Sequence, residues 1–408
     1  VKTFIDNKIT ILENGTVSTP IGFRAGGLHC GIKRKRLDLG WILSDVPATA
    51  AGVYTKNTFQ AAPILVTKDS IAKEQKLQAV VVNSGNANAC TGKQGLFDAY
   101  KMRNQFAKAH QLEEHFVAVS STGIIGVPLP MEKLIDGIHQ STNIQHHTVE
   151  NFEHAILTTD TCVKHVAVEI VIDGKPVKIG GAAKGSGMIH PNMATMLSFV
   201  TTDAKIDAKS LSTALKTVTD QTFNMITVDG DTSTNDMVLV LANGLANNDT
   251  LNELHPEWEV FLEGFNIVCK KLAQMIARDG EGATKLIEVQ VNGAPTEDAA
   301  KKISKAIISS NLVKTAMYGA DPNWGRIVCA IGYSDEPINP NKVNIHLGPI
   351  QVVENGLPLP FDEEKAKQYL LNEFVHIIVD FHQGLGSATA WGCDLSYDYV
   401  KINASYRT

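Results

Sequence analysis

The chain has 408 residues, 44 % hydrophobic and 20 % charged, with a net charge of −6. That length supports two or more hydrophobic cores or one large layered domain, and the composition excludes disorder. The acidic balance and the few aromatics (6 %) exclude a nucleic-acid surface, and the one basic run, Lys33-Arg34-Lys35-Arg36, reads as a solvated loop.

Gln78–Asn83 (QAVVVN) and Phe116–Ser121 (FVAVSS) are short β-branched runs ending in small polar residues, the pattern of buried strands that deliver a loop. Val166–Lys178 holds Asp173-Gly174 between alternating apolar residues, which predicts a hairpin. An apolar run, Met196, Leu197, Phe199 and Val200, reads as a buried strand. Further strands are expected at Met237–Ala242, Ile287–Val291, Arg326–Ile331, Val343–Leu347 and Val375–Phe381. Apolar residues recur every three or four positions at Ala208–Thr222, Glu259–Ala277 and Thr296–Ser309, and predict helices there. Asp362–Phe374 opens with acidic residues suited to a helix N-terminus. The fold class is therefore α/β, in a layered α+β arrangement with substantial sheet rather than a plain doubly wound sheet.

Six scattered cysteines (30, 90, 162, 269, 329, 393) show no CxxC and no histidine at metal spacing, which predicts free thiols, a reducing compartment and no metal site. The N-terminal residues have no apolar core of signal-peptide type, and no window approaches the ~18 apolar residues of a membrane span. A soluble, cytoplasmic protein is expected.

Several catalytic signatures are excluded. Gly85–Lys93 (GNANACTGK) resembles a phosphate-binding loop, but the glycines are spaced too widely and Gln94 stands where a hydroxyl should bind magnesium. Gly384-Leu-Gly386 lacks the rest of a dinucleotide fingerprint, and Ser186 has glycine immediately on each side, unlike a nucleophile elbow. Asp229, Asp231, Asn235 and Asp236 lack calcium-loop spacing, so turn or substrate-loop duty is the better reading. His190, with no carboxylate evident nearby, reads as a loop residue.

What remains is a set of small-residue clusters at strand ends: Asn83–Gly92, Ser120–Gly123, Thr158–Thr161, Thr227–Asp236 and Arg278–Thr284. Singly each is a turn; together they suggest a convergent polar pocket. The glycine-rich stretch 180–190 carries Lys184, breaks at His190-Pro191, and leads to Thr195 at the mouth of the 196–200 strand. A threonine there needs no explanation beyond its strand preference. Were the bond before it cut, however, its α-amine would serve as its own base, a known nucleophile arrangement. A Thr-Gly turn such as Thr122-Gly123 could then stabilise an oxyanion.

With these residues the chain closely resembles the ornithine acetyltransferases of arginine biosynthesis, the bifunctional glutamate N-acetyltransferase/amino-acid acetyltransferase family. The resemblance runs from Gly26-Gly-Leu-His-Cys-Gly31 through Asn83-Ser-Gly-Asn-Ala-Asn, Thr122-Gly123, Thr158-Thr-Asp-Thr161, Lys184-Gly-Ser-Gly-Met and Met193-Ala-Thr-Met-Leu197. It continues through Asp321-Pro-Asn-Trp-Gly-Arg326 to Asn403-Ala-Ser-Tyr-Arg-Thr408. It implies a layered α/β sandwich and a precursor that cuts itself between Ala194 and Thr195, giving an α chain (1–194) and a β chain (195–408) assembled as α2β2. It further implies Thr195 as nucleophile, Thr122 and Gly123 as oxyanion hole, and Thr161, Lys184, Thr195, Glu281, Asn403 and Thr408 as substrate contacts. The reaction implied is ping-pong transfer of acetyl from N-acetylornithine to glutamate, without a cofactor; acetyl-CoA stays open as a co-substrate. An amidase of related self-processing type is the alternative reading.

Overall fold

The computed structural model describes residues 8–190 and 196–405. These divide into two compact units. The first comprises the described residues of Val1–Gly185, Asn192–Asp220 and Thr232–Leu272; the second, those of Ser186–Pro191, Gln221–Asp231 and Ala273–Thr408.

The first unit is built on a nine-stranded sheet. Its strands are β1 (Ile9–Leu12), β2 (Phe23–Leu28), β3 (Leu39–Tyr54), β4 (Lys76–Asn86), β5 (Val117–Ile124), β6 (Lys164–Ile172), β7 (Lys175–Lys184) and β8 (Leu197–Thr202), while β9 (Ile226–Thr227) lies in the other unit and β10 (Met237–Ala242) completes the set. The order across the sheet is β1-β6-β7-β8-β10-β3-β4-β5, with β2 paired to β3. β8 and β10 run parallel to each other and stand between β7 and β3, both antiparallel to them. Each residue of β8 and of β10 is buried, as expected of strands covered on both faces.

Side-chain alternation divides the sheet's two faces. Ala79 and Val81 of β4, with Val117 and Val119 of β5, pack with Val66 of helix α1 (Ala62–Glu74), Met102 and Phe106 of α2 (Gly92–His110) and Ile138 of α3 (Met131–Gln140). Val80 and Val82 face the other way, into a cluster with Phe152 of α4 (Val149–Ala155), Phe199 and Leu239. Helices thus lie on both faces, the layered α/β arrangement that the sequence predicts. The predicted hairpin is present as β6–β7, with Ile172 opposite Lys175. Asp173 and Gly174 both have positive φ (52° and 70°), as a two-residue turn of this kind requires.

The remaining described helices are α5 (Ala208–Gln221), α6 (Trp258–Arg278), α7 (Glu297–Ser309), α8 (Asn311–Tyr318), α9 (Trp324–Gly332), α10 (Glu363–Leu370) and α11 (Tyr397–Ala404). The second unit's sheet follows the order β14 (Leu357–Pro358), β13 (Ile350–Glu354), β12 (Asn344–Leu347), β15 (Phe374–Asp380), β11 (Leu286–Ala294), β16 (Gly386–Cys393) and β9. Ile287, Val289 and Val291 are fully buried along β11, and α7 packs on β11 and β16. Thr296 caps α7 by accepting from the Ala299 N–H at 3.1 Å, and Asp362 caps α10 through the Lys365 N–H at 3.0 Å.

One expectation fails. Arg326–Ile331 is not a strand but the body of α9, with Ile327, Ala330 and Ile331 buried and Val328 exposed. A short apolar run reads equally as buried strand or helix, and the buried spacing of three and four residues emerges only in the folded chain. Among the described residues no helix is long and apolar enough to cross a membrane, and no disulfide links the cysteines.

Candidate active site

In the first unit, the sheet brings distant clusters to the ends of adjacent strands. β5 runs further than the sequence indicates: Thr122 and Gly123 are not a loop beyond the strand but its last rungs, opposite Ser84 and Gly85 of β4. The two backbones touch there. A Cβ on Gly123 would stand 2.3 Å from the carbonyl carbon of Gly85, and φ is +134°, so only glycine fits. The Asn83–Asn88 motif braces this corner: Asn83 Nδ2 donates to the Asn86 carbonyl at 2.8 Å, and Asn86 Nδ2 donates to the Val127 carbonyl at 3.0 Å. Ser121 Oγ donates to Asn83 Oδ1 at 2.5 Å. From the segment before β10, Asn235 Nδ2 donates to the carbonyls of Ala87 (2.5 Å) and Ser121 (2.8 Å).

Lys184, the last residue of β7, reaches this corner. Its Nζ donates to Thr158 Oγ1 at 2.7 Å and to Thr122 Oγ1 at 3.5 Å, and stands 3.9 Å from Asp160 Oδ2. Asp160 has a fully buried side chain paired at 2.8 Å with the equally buried Lys164. It also accepts the N–H groups of Gly185 (2.6 Å) and Thr158 (2.9 Å). Burial by itself pushes the Asp160 carboxyl up, but the ammonium groups of Lys184 and Lys164 hold it well below the usual carboxylate range. Asp160 is therefore an ionised anchor between two cations. Lys184 is pinned beside a hydroxyl and next to a buried carboxylate, which suits it to a substrate carboxylate.

Thr122, Gly123 and Lys184 are thus brought together. Thr161 lies on the same turn as Thr158 and is exposed, while the hydroxyl that holds Lys184 belongs to Thr158. Asp160 and Lys164 were not singled out from the sequence; their spacing of four across a threonine-rich turn was the available signal. Ala194, Thr195 and Thr408 lie outside the described residues. Met196, next to Thr195, is buried, and its carbonyl accepts the Met237 N–H at 3.0 Å.

In the second unit, Asn403 on α11 donates through Nδ2 to Glu281 Oε2 at 2.8 Å, bringing these two predicted residues together. The Glu281 N–H donates to the Ser186 carbonyl at 3.1 Å, and Ser186 Oγ donates to the Asp279 carbonyl at 2.6 Å. Gly187 lies directly against the Glu281 carboxylate: a Cβ there would be 2.3 Å from Glu281 Cδ. Asp229 spends its oxygens on the N–H groups of Met188 (2.7 Å) and Ile189 (2.9 Å), shaping the 186–190 loop, in keeping with the loop duty read from the sequence. His190 bonds Thr227 Oγ1 at 3.0 Å; burial, with Lys305 nearby, pushes its pKa down to about 4, so the ring is neutral at physiological pH. Among the described residues, the one group of acids and histidine close enough to share an ion is Asp173, His255 and Glu257, where Glu257 is already paired with Lys8.

A family model described as the ArgJ family matches residues 24–408. The chain is 62 % identical over 408 residues to an arginine biosynthesis bifunctional protein ArgJ from Oceanobacillus iheyensis, covering 100 % of both chains. It is 60 % identical over 402 residues to the protein of that name from Geobacillus kaustophilus, covering 98 % of each. Among solved structures, the arginine biosynthesis bifunctional protein argJ from Bacillus halodurans is 56 % identical with a TM-score of 0.51; the match covers 52 % of this chain and 100 % of that one.

Proposed function

The chain belongs to the ArgJ family, and from that premise we propose that it is an acetyltransferase of arginine biosynthesis, moving acetyl from N2-acetyl-L-ornithine to L-glutamate through an ester on Thr195. The observation that carries the site assignment is the Lys184 ammonium held 3.5 Å from the Thr122 hydroxyl, a carboxylate-binding cation beside an oxyanion donor.

The precursor first cuts itself between Ala194 and Thr195, and the α chain 1–194 and β chain 195–408 stay associated as α2β2 in the cytoplasm. The Thr195 hydroxyl attacks the Ala194 carbonyl, the resulting ester is resolved by water, and the freed α-amine becomes the base. A solved relative's chain that matches only about half of this one supports two chains. In the transfer, Thr195 Oγ attacks the acetyl carbonyl while its α-amine takes the proton. The Thr122 hydroxyl and Gly123 N–H stabilise the oxyanion, and ornithine leaves with the proton. Glutamate's amine then attacks the acetyl ester and restores the threonine. Lys184 takes the substrate α-carboxylate, and the buried Asp160, 3.9 Å away, helps aim it. Thr161, Glu281, Asn403 and Thr408 enter as substrate contacts by resemblance; the Glu281–Asn403 hydrogen bond supports a defined role for that pair.

Ornithine release from N-acetylornithine tests the reading. Beyond one equivalent of enzyme, release is expected to require glutamate; steady release into water without it would make the protein an amidase instead. A second test concerns Glu281. Gly187→Ala should swing its flexible carboxylate aside with little loss of stability, leaving Tm nearly unchanged while KM for N-acetylornithine rises on the order of tenfold. An unchanged KM would remove Glu281 from substrate binding.

A further inference from the structure

We propose that Asn235 is a further positioning residue of the acetyl-transfer site: its side-chain amide locks the Thr122–Gly123 oxyanion corner to the segment that holds the start of β8. The inference rests on the acetyl-Thr195 reading and adds a residue to its machinery. From sequence, Asn235 stood only among the turn or substrate-loop candidates.

The corner lacks the support that a sheet usually gives. Among the described residues β5 is the last strand of its sheet, so it has one ladder, and that ladder is irregular between Gly85 and Asn86, opposite Gly123 and Ile124. Gly123 has no side chain to anchor it and a φ of +134°. Asn235 supplies the missing support. It is buried, and its two Nδ2 protons serve two carbonyls, that of Ala87 just beyond β4 and that of Ser121 on β5. Ala87 in turn donates its N–H to the Ile124 carbonyl at 2.9 Å. Thr122 and Gly123 are therefore bracketed, by Ser121 before them and Ile124 after. A peptide unit is planar, so holding the Ser121 carbonyl also fixes the N–H of Thr122 and the backbone from which its hydroxyl projects.

The amide cannot be reversed, because both partners are carbonyls and only accept. Its own oxygen accepts the Thr234 hydroxyl at 2.6 Å. The segment that carries it is held from outside: Thr55 Oγ1 donates to the Ser233 carbonyl at 2.8 Å, Asn57 Nδ2 to the Thr232 carbonyl at 2.9 Å, and the Ala61 N–H to the Thr234 carbonyl at 2.9 Å. Two residues on, the Met237 N–H holds the Met196 carbonyl at 3.0 Å. Residues 235 to 237 thus reach both the oxyanion corner and the residue that follows the nucleophile. They tie together parts that the proposed cut assigns to different chains, Ala87 and Ser121 to one and Met196 to the other. Oxyanion donors act only when closely placed, and a shift of about 1 Å can cost roughly 10²-fold in rate. Asparagine suits the task because one short side chain offers two donors. Aspartate would set a negative charge against two carbonyls, and alanine would leave both without this partner. Lys184 is held separately, by Thr158 and Asp160, so substrate binding should survive the change.

The test compares wild type, Asn235→Ala and Thr234→Val, with kcat expressed per folded, processed molecule from thermal unfolding and chain masses. Asn235→Ala is expected to lower kcat for acetyl exchange about 10²-fold while KM for N-acetylornithine stays within about threefold. Thr234→Val keeps both amide donors and removes only the hydroxyl that orients them. It is expected to fold and to be cut, and to lower kcat about tenfold at the same KM. A merely structural residue would lower Tm and the yield of processed enzyme but leave kcat per processed molecule unchanged. That result in either variant would overturn the proposal, as would a rise in KM at unchanged kcat. If Asn235→Ala stays uncut, the Thr234→Val comparison decides alone. Failure of the wild type to exchange acetyl from N-acetylornithine would instead strike the proposed function itself.

Discussion

Replacing Thr195 with alanine is expected to leave one uncut chain and to lower acetyl exchange by about 10³-fold or more, to the background level. Both effects come from one atom. In the proposed mechanism the hydroxyl that opens the Ala194–Thr195 peptide is also the one that carries the acetyl group, and without the cut there would be no α-amine to accept its proton. The fold should be indifferent, because the β8 ladder begins at Leu197 and the Met196 carbonyl is held by Met237 whatever side chain precedes it. Intact mass spectrometry of purified protein separates the outcomes. Two chains from the alanine variant would remove Thr195 from the central role; one chain with full exchange activity would remove the need for processing.

Asp160→Asn is expected to cost about 3–5 kcal/mol of stability, because it removes the buried negative charge that pairs with Lys164 at 2.8 Å and stands 3.9 Å from Lys184. The amide also supplies one acceptor where the carboxylate serves Lys164 Nζ, the Gly185 N–H and the Thr158 N–H. The pH dependence identifies the charge as the cause. Asp160 is depressed in the folded protein, so its stabilisation is complete above the unfolded carboxyl value of about 3.9 and is lost as pH falls through the lower folded value. The gap between wild type and variant, measured as a denaturant midpoint, should be full at pH 7 and should narrow below pH ~4. A gap that stayed constant would mean the loss is one of packing or hydrogen bonding. Lys184→Ala is the companion: Asp160 keeps Lys164, so the fold persists while substrate KM rises.

Features carried by local pattern were legible in the sequence. Asp173-Gly174 between alternating apolar residues specified the β6–β7 turn, and Thr296 and Asp362 marked helix starts within a residue. Features created by pairing of distant segments were not. That β5 continues through Gly123 depends on Gly85 approaching from β4, and no local signal reports that approach. Asp38 under the basic run is a comparable case. Its three backbone partners lie within eight residues, yet only burial distinguishes it from an ordinary loop acid; the run above it is largely exposed, as read. Asp160 hid inside a cluster read for its threonines, and Arg326–Ile331 shows the opposite error, a β-branched run that folds as helix.

The position of β8 and β10 in the first sheet bears on the protein's history as well as its shape. A cut at 194/195 would assign these two neighbours to the younger chain while β7 on one side and β3 on the other remain with the elder. Separation would require unzipping two ladders at once from the middle of the sheet, so a nicked pair would be held by its kinetics and not merely by its affinity. The reverse also holds. Fragments made apart would have to open a gap in one partner to admit the other, and loop closure would no longer keep the strands in reach. An uncut chain would then act as its own assembly template, and cleavage would erase the route by which the molecule was made.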